Sequence, residues 1–224
     1  MKNSLFALIL SLAVGIPSHA YALLIVDTDK TNFLTTTGAT NATGPLPNIG
    51  YVPGSQTVGT ATFSISPPSS ALFIGWGGPG DWTTILPGNE IAISDVENLN
   101  VDLANPVFSF GFDFAEPNTP AECYAPCFDS TFGVTLLDGG SPVGTFSFNA
   151  PDGVAAFVGV WTDVQFTRVE IRDSTATIDD EYFGEVYTGT TPASRSVPEP
   201  STLVLVGSGL VGLWGIGFRR PTNP

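Results

Sequence analysis

The stretch Val107-Phe108-Ser109-Phe110-Gly111-Phe112-Asp113-Phe114 decides the fold class. Its four phenylalanines fall at every second position, and Ser109, Gly111 and Asp113 stand between them. Successive side chains of a β-strand point to opposite faces, so a period of two gives one apolar face and one that is polar or minimal. On a helix, phenylalanines at every second position would be spread around the axis instead of sharing one face, so the period of two argues for a strand.

The same period extends outward in both directions. Leu99, Val101 and Leu103 alternate with Asn100 and Asp102, and Phe146 and Phe148 alternate with Thr145 and Ser147. Residues 132–137 run into Asp138-Gly139-Gly140, a hairpin turn signal. Residues 154–161 form a short continuous apolar run, as a buried strand does. In residues 164–172 the pattern changes phase between Phe166 and Val169, which predicts a bulge. With residues 23–26, 57–65, 91–94 and 182–187, about ten strands are expected. No twelve-residue window away from the two chain ends carries a helical stripe, and residues 32–53 and 117–127 read as loops. The expected fold is all-β: an antiparallel β-sandwich, jelly-roll-like in its succession of short strands.

Composition excludes several classes of function. The chain has 224 residues, of which 12% are charged, with 21 acidic residues against 7 basic ones and a formal net charge of −14. A nucleic-acid binder needs a basic face to displace counterions from phosphate, and seven scattered cations build none. The 42% hydrophobic content argues for a packed core rather than disorder.

Both ends read as addresses. Lys2, the apolar run 5–16, Pro17 and then Ala20-Tyr21-Ala22 follow the secretory signal layout, with cleavage expected after Ala22. Near the other end, residues 202–218 are uncharged and predominantly apolar, and Arg219 and Arg220 follow at once. As a helix this run would span roughly 25 Å, enough for a membrane crossing with snorkelling arginines. The expected organisation is a signal peptide over 1–22, a β-sandwich over 23–196 and a C-terminal signal over 197–224.

Pro198-Glu199-Pro200, the glycine-rich apolar run and the Arg219-Arg220 pair occur in that order at the C-terminus. Together they resemble the PEP-CTERM sorting signal of bacteria that make extracellular polysaccharide. The resemblance implies processing by an exosortase, a membrane protease-transpeptidase that acts near the PEP tripeptide. It also implies an exported protein, held in the inner membrane by its C-terminal helix only until processing. Glu199 is then part of an address rather than a catalytic acid. Loss of both ends removes three cations and one carboxylate, so the body carries −16.

The only histidine, His19, lies in the leader, so the body can build neither a serine triad nor an imidazole metal site. Cys123 and Cys127 are the only cysteines and, in an exported chain, are expected to form a disulfide closing a small loop. Asp27 and Asp29 follow the first strand, and Asp179 and Asp180 precede the last. Jelly rolls bring first and last strands together, which makes these four candidate Ca²⁺ ligands. The run Ile178-Asp179-Asp180-Glu181-Tyr182-Phe183 also looks like a closing strand of extracellular jelly-roll modules, some of which hold calcium there. The competing reading is solubilising charge. Trp76 and Trp82, on a glycine-rich loop with Asp81, are candidates for stacking on sugar rings; the competing role is capping the core. A carboxylate-based glycan hydrolase could draw on Asp113 and Glu116 or on Glu170 and Asp173, but with twenty acidic residues in the body coincidental pairs are expected, and no spacing singles out one pair over the others.

The expected function is therefore structural or adhesive and not enzymatic, at the cell surface or in the extracellular matrix, against exopolysaccharide. A calcium-assisted carbohydrate-binding module and a carboxylate-based glycan hydrolase are the alternatives.

Overall fold

The computed structural model describes residues 22–75, 85–119, 127–175 and 181–194. In chain order the elements are β1 (Leu24–Asp27), α1 (Lys30–Thr37), β2 (Thr40–Asn41), β3 (Gly50–Val52), β4 (Ser55–Val58), β5 (Ala61–Ile65), β6 (Ala71–Ile74) and β7 (Ile91–Ser94). There follow β8 (Asn98–Ala115), β9 (Phe132–Asp138), β10 (Ser141–Phe148), β11 (Ala155–Asp173) and β12 (Tyr182–Gly189). Every ladder among them is antiparallel.

Two strands organise the sandwich. β8 and β11 are 18 and 19 residues long, and each serves both layers. In the first layer the later half of β8 lies between β11 and β12, and β1 extends it beyond β11. β7, β6 and β3 continue this layer past β12. In the second layer the early half of β8 pairs with β5 and with residues 168–172 of β11, and β9 and β10 follow. The change of layer falls where the β8–β11 register shifts twice, between Trp161 and Phe166 and between Phe166 and Arg168. Extra residues in one strand bend it and raise its twist, so this bulged stretch is where one strand turns from one layer into the other. The bulge expected near Phe166 is there. Pro106, which cannot donate to a ladder, sits in the same bend of β8.

Phe110, Phe112 and Phe114 are buried between the layers. Phe112 and Phe114 meet Phe148 of β10 edge-on at 5.7 and 5.3 Å, and Phe114 meets Phe132 of β9 at 5.3 Å. These rings come from strands that share no ladder, so they fasten one layer to the other; each buried ring contributes about 2–3 kcal/mol. Phe108, the first of the four alternating phenylalanines, is only half-buried because it lies at the bend, where Val107 turns inward instead. The Gly139-Gly140 turn joins β9 to β10 with both residues at positive φ (54° and 88°), as a two-residue type I′ hairpin requires.

Three local expectations are corrected. Residues 57–65 form a hairpin, β4 and β5, rather than one strand, since Gly59 and Thr60 turn the chain. The span 32–53 is not all loop: it contains most of α1 together with β2 and β3. The first and last strands are not neighbours, because β11 and β8 stand between β1 and β12. Among the described residues no helix is long and apolar enough to cross a membrane; residues 202–218 lie outside them.

Candidate functional site

With Phe110, Phe112 and Phe114 turned inward, Ser109, Gly111 and Asp113 face the outside of the first layer. Helix α1 covers this face. Asp29 caps it by accepting from the Asn32 amide at 3.0 Å, and Gly38 ends it in the left-handed region (φ 66°) with its N–H on the Leu34 carbonyl. Phe33 of the helix, 1% exposed, lies over Gly111 and Gly159, which are directly opposed on β8 and β11. A Cβ on Gly159 would come within 2.6 Å of the Phe33 ring, and one on Gly111 within 2.5 Å of Phe157 and 3.0 Å of Phe33. The glycine pair is the seat of the helix.

The helix carries Lys30 to the centre of the face. Lys30 Nζ donates to both oxygens of Asp113 at 2.8 Å and stands 4.3 Å from the centre of the Tyr187 ring. The Tyr187 hydroxyl lies 2.8 Å from Glu185 Oε2 and 3.2 Å from Asp113 Oδ2, so its one proton serves the nearer carboxylate. Asn41 Nδ2 donates to the same Glu185 oxygen at 2.6 Å. Burial and the adjacent carboxylates push the Tyr187 phenol far above its ordinary value, which keeps it a hydrogen-bond donor at any physiological pH.

Lys30 and Asp113 form part of the wall of a cavity of about 710 Å³. Asp29, Thr31 and Asn149 supply further polar groups, and Leu86, Pro151 and Phe157 supply apolar surface. That volume lies within the range of small-ligand sites, and a mostly apolar wall with a few fixed polar groups is their usual composition.

Asp27 and Asp29 are engaged as caps: Asp27 accepts from the Asp29 amide at 2.9 Å and from Asn32 Nδ2 at 2.6 Å. Across the ladders Asp27 stands in one row with Gly159, Gly111 and Tyr187. Glu181 immediately precedes β12, at the end of that strand away from the Tyr187 row. Thus the strand order separates the start of β12 from Asp27, contrary to the expected meeting of first and last strands. Cys127 is disulfide-bonded. Ala22 is within the described residues; Ala20, Trp76, Trp82, Cys123, Asp179, Asp180, Pro198, Glu199, Pro200, Arg219 and Arg220 lie outside them.

Glu170 and Asp173 are three apart within β11, an odd spacing that puts them on opposite faces of the strand, whereas Glu116 lies just past the end of the strand that carries Asp113. Asp113 is bound by Lys30, whereas Glu116 accepts from the Ser130 amide. Glu170 is held by Arg168 and Arg172 at 2.9 and 3.1 Å, and Asp173 accepts from the Thr175 amide.

The structure instead gathers Glu116, Asp129 and Asp152, whose carboxylate oxygens lie within 4.8 Å of one another. Glu116 is buried, and Asn149 of the cavity wall donates to Asp129. These residues come from three separate segments with no recognisable spacing. Lys30 was equally concealed; its one sequence signal is that it is the only lysine of the body.

Sequence comparison bears on the C-terminus. Residues 196–220 match the PEP-CTERM protein-sorting motif. This sorting motif contains Pro198-Glu199-Pro200 and the Arg219-Arg220 pair. Among curated proteins none matches the chain. Solved structures similar to it include a point mutant of a family 29 carbohydrate-binding module, at TM-score 0.32 and 15% identity over 84% of this chain and 99% of that one. A xylan-binding domain from CBM 22 gives 0.35 and 12%, over 66% and 100%. A family 11 carbohydrate-binding module from Clostridium thermocellum, in complex with a β-1,3-1,4-mixed-linked tetrasaccharide, gives 0.36 and 9%, over 65% and 97%. Scores at this level do not demonstrate a common fold.

Proposed function

We propose that the chain is an exported, exosortase-sorted protein of the cell surface or extracellular matrix, and that its β-sandwich holds exopolysaccharide in the cavity beside Lys30 and Asp113. The sorting motif at 196–220 supports the first half of this reading. The second rests on the cavity itself, which combines a fixed ion pair and an amide side chain with apolar surface, the pairing that sugars need for their hydroxyls and ring faces. Trp82 is four residues from Leu86 of the cavity wall in sequence. The role is adhesive and non-enzymatic in this reading, which is supported by the engagement of Asp113 and Glu170 in ion pairs and by a body without histidine.

Affinity for the producing cell's own exopolysaccharide tests the cavity. Asn149→Ala is expected to weaken binding about tenfold, or 1.4 kcal/mol, without loss of the folded state. Unchanged affinity would overturn the assignment of the site. Release of sugar products, abolished by one Asp or Glu substitution, would favour the hydrolase instead. For the sorting half, the exported protein is weighed from strains with and without exosortase; an intact C-terminus in both would sink it.

A calcium-assisted version of the same binding has one observation in its favour. Glu116, Asp129 and Asp152 adjoin the 148–151 segment that walls the cavity, and carboxylate oxygens are the donors Ca²⁺ takes. A cation there would brace the cavity wall, and Asp27 and Asp29 would not take part.

A further inference from the structure

One bend of β11 receives both ends of the body. The Leu23 amide nitrogen donates to Asp163 Oδ1 at 2.7 Å, one residue before β1 begins its ladder with Leu24 opposite Thr162. At the exit, the Ala193 amide donates to the Thr162 carbonyl at 2.9 Å, and Trp161 Nε1 donates to the Thr191 carbonyl at 2.8 Å. Three consecutive residues, Trp161 to Asp163, therefore fix the first and last segments of the folded body. The first of these contacts joins a carboxylate to the nitrogen that follows the Ala20-Tyr21-Ala22 cleavage signature.

We propose that cleavage between Ala22 and Leu23 is a modification that completes the fold, because the released α-ammonium of Leu23 forms an ion pair with Asp163. The inference rests on the export reading above. In the step, a signal peptidase adds water across the peptide bond: the hydroxyl goes to the Ala22 carbonyl, which leaves as a carboxylate, and the nitrogen of Leu23 takes up protons to become an ammonium. The position already holds a hydrogen bond in the uncleaved chain, and the new positive charge converts it into a charge-assisted one. The entering strand is thereby clamped at the bend from which the sorting segment departs.

Few amines make the inference simple to test. After removal of the leader the body has two, the Leu23 α-amine and Lys30. Full-length precursor is exported from its host, and the product is labelled under native conditions with an amine-reactive ester, then digested and weighed. The expected start is Leu23, with its α-amine labelling about tenfold more slowly than the same amine in a synthetic peptide of residues 23–29. Asp163→Asn should raise that rate severalfold while the rate at Lys30 stays constant. If that variant does not accumulate, the wild-type comparison with the peptide decides alone. A start at any other residue, or an α-amine as reactive as the peptide's, overturns the proposal. Either result leaves glycan binding and C-terminal sorting to stand or fall by their own experiments, and retention of the whole leader would overturn export itself.

Discussion

Glu90 precedes β7 with its side chain fully buried and both carboxylate oxygens without a hydrogen-bond partner among the described residues. Burial raises its pKa from 4.5 to about 8, against a smaller opposing effect of the backbone at Leu86. Between those two values the folded chain keeps a proton that the unfolded chain has released. Stability from this group is therefore full below about pH 4.5, falls as pH rises toward 8 and is flat above. Glu90→Gln cannot ionise, so it should flatten that slope and raise the melting temperature at pH 8 by several degrees, about 1–3 kcal/mol. Thermal melts from pH 4 to pH 9 check this, and an unchanged slope would refute it. Lys30 carries the opposite risk. Removing it by Lys30→Ala leaves Asp113, itself only 13% exposed, without its cation, and should cost about 1–2 kcal/mol in urea unfolding, between the values for surface and buried pairs. The sequence placed Asp113 on the face away from the phenylalanines. It could not show that the partner would be a lysine 83 residues earlier.

At the scale of elements, alternation exposed the strands but not their continuity. Leu99–Val101 and Phe110–Phe114 read as two strands because the residues between them, Ala104 to Pro106, face solvent at the bend and carry no alternating signal. They belong to the single strand β8, and β11 likewise joins the apolar run at 154–161 to the out-of-phase segment after it. Helix α1 was hidden for a different reason. Lys-Thr-Asn-Phe-Leu-Thr-Thr-Thr has four β-branched threonines in eight positions, poor helix formers, and buries only Phe33 and Thr37. Its stability comes from the Asp29 cap, the Gly38 exit and the glycine seat beneath it, and the seat is visible only once β8 and β11 are paired. Gly111→Ala puts a methyl within 2.5 Å of the Phe157 ring and 3.0 Å of the Phe33 ring, so the rings that seat the helix must shift. The expected cost is about 1–3 kcal/mol. Because Lys30 rides on that helix, exopolysaccharide binding should weaken together with stability. A variant that melts lower but binds as the wild type would separate the helix from the site.

At the scale of the molecule, charge sets the last expectation. The body carries −16, and three of its four side-chain cations, Lys30, Arg168 and Arg172, are in ion pairs with Asp113, Asp102 and Glu170. Salt therefore acts in two opposite senses: it weakens those pairs, each worth at most about 1 kcal/mol where exposed, and it screens the repulsion among the unpaired carboxylates. With few pairs and a large excess of one sign, screening wins, so the melting temperature should rise smoothly and without saturation as NaCl increases from about 0.02 to 0.3 M. Calcium gives the same non-specific rise and, if Glu116, Asp129 and Asp152 ligate it, a saturating shift on top. Comparing the two salts at equal ionic strength isolates that shift, and Asp152→Ala should remove it, because Asp152 is exposed and its loss costs the apo fold little. Superimposed sodium and calcium curves would end the calcium-assisted reading. A fall in melting temperature with NaCl would mean that the ion pairs, rather than self-repulsion, govern how this anionic sandwich responds to its medium.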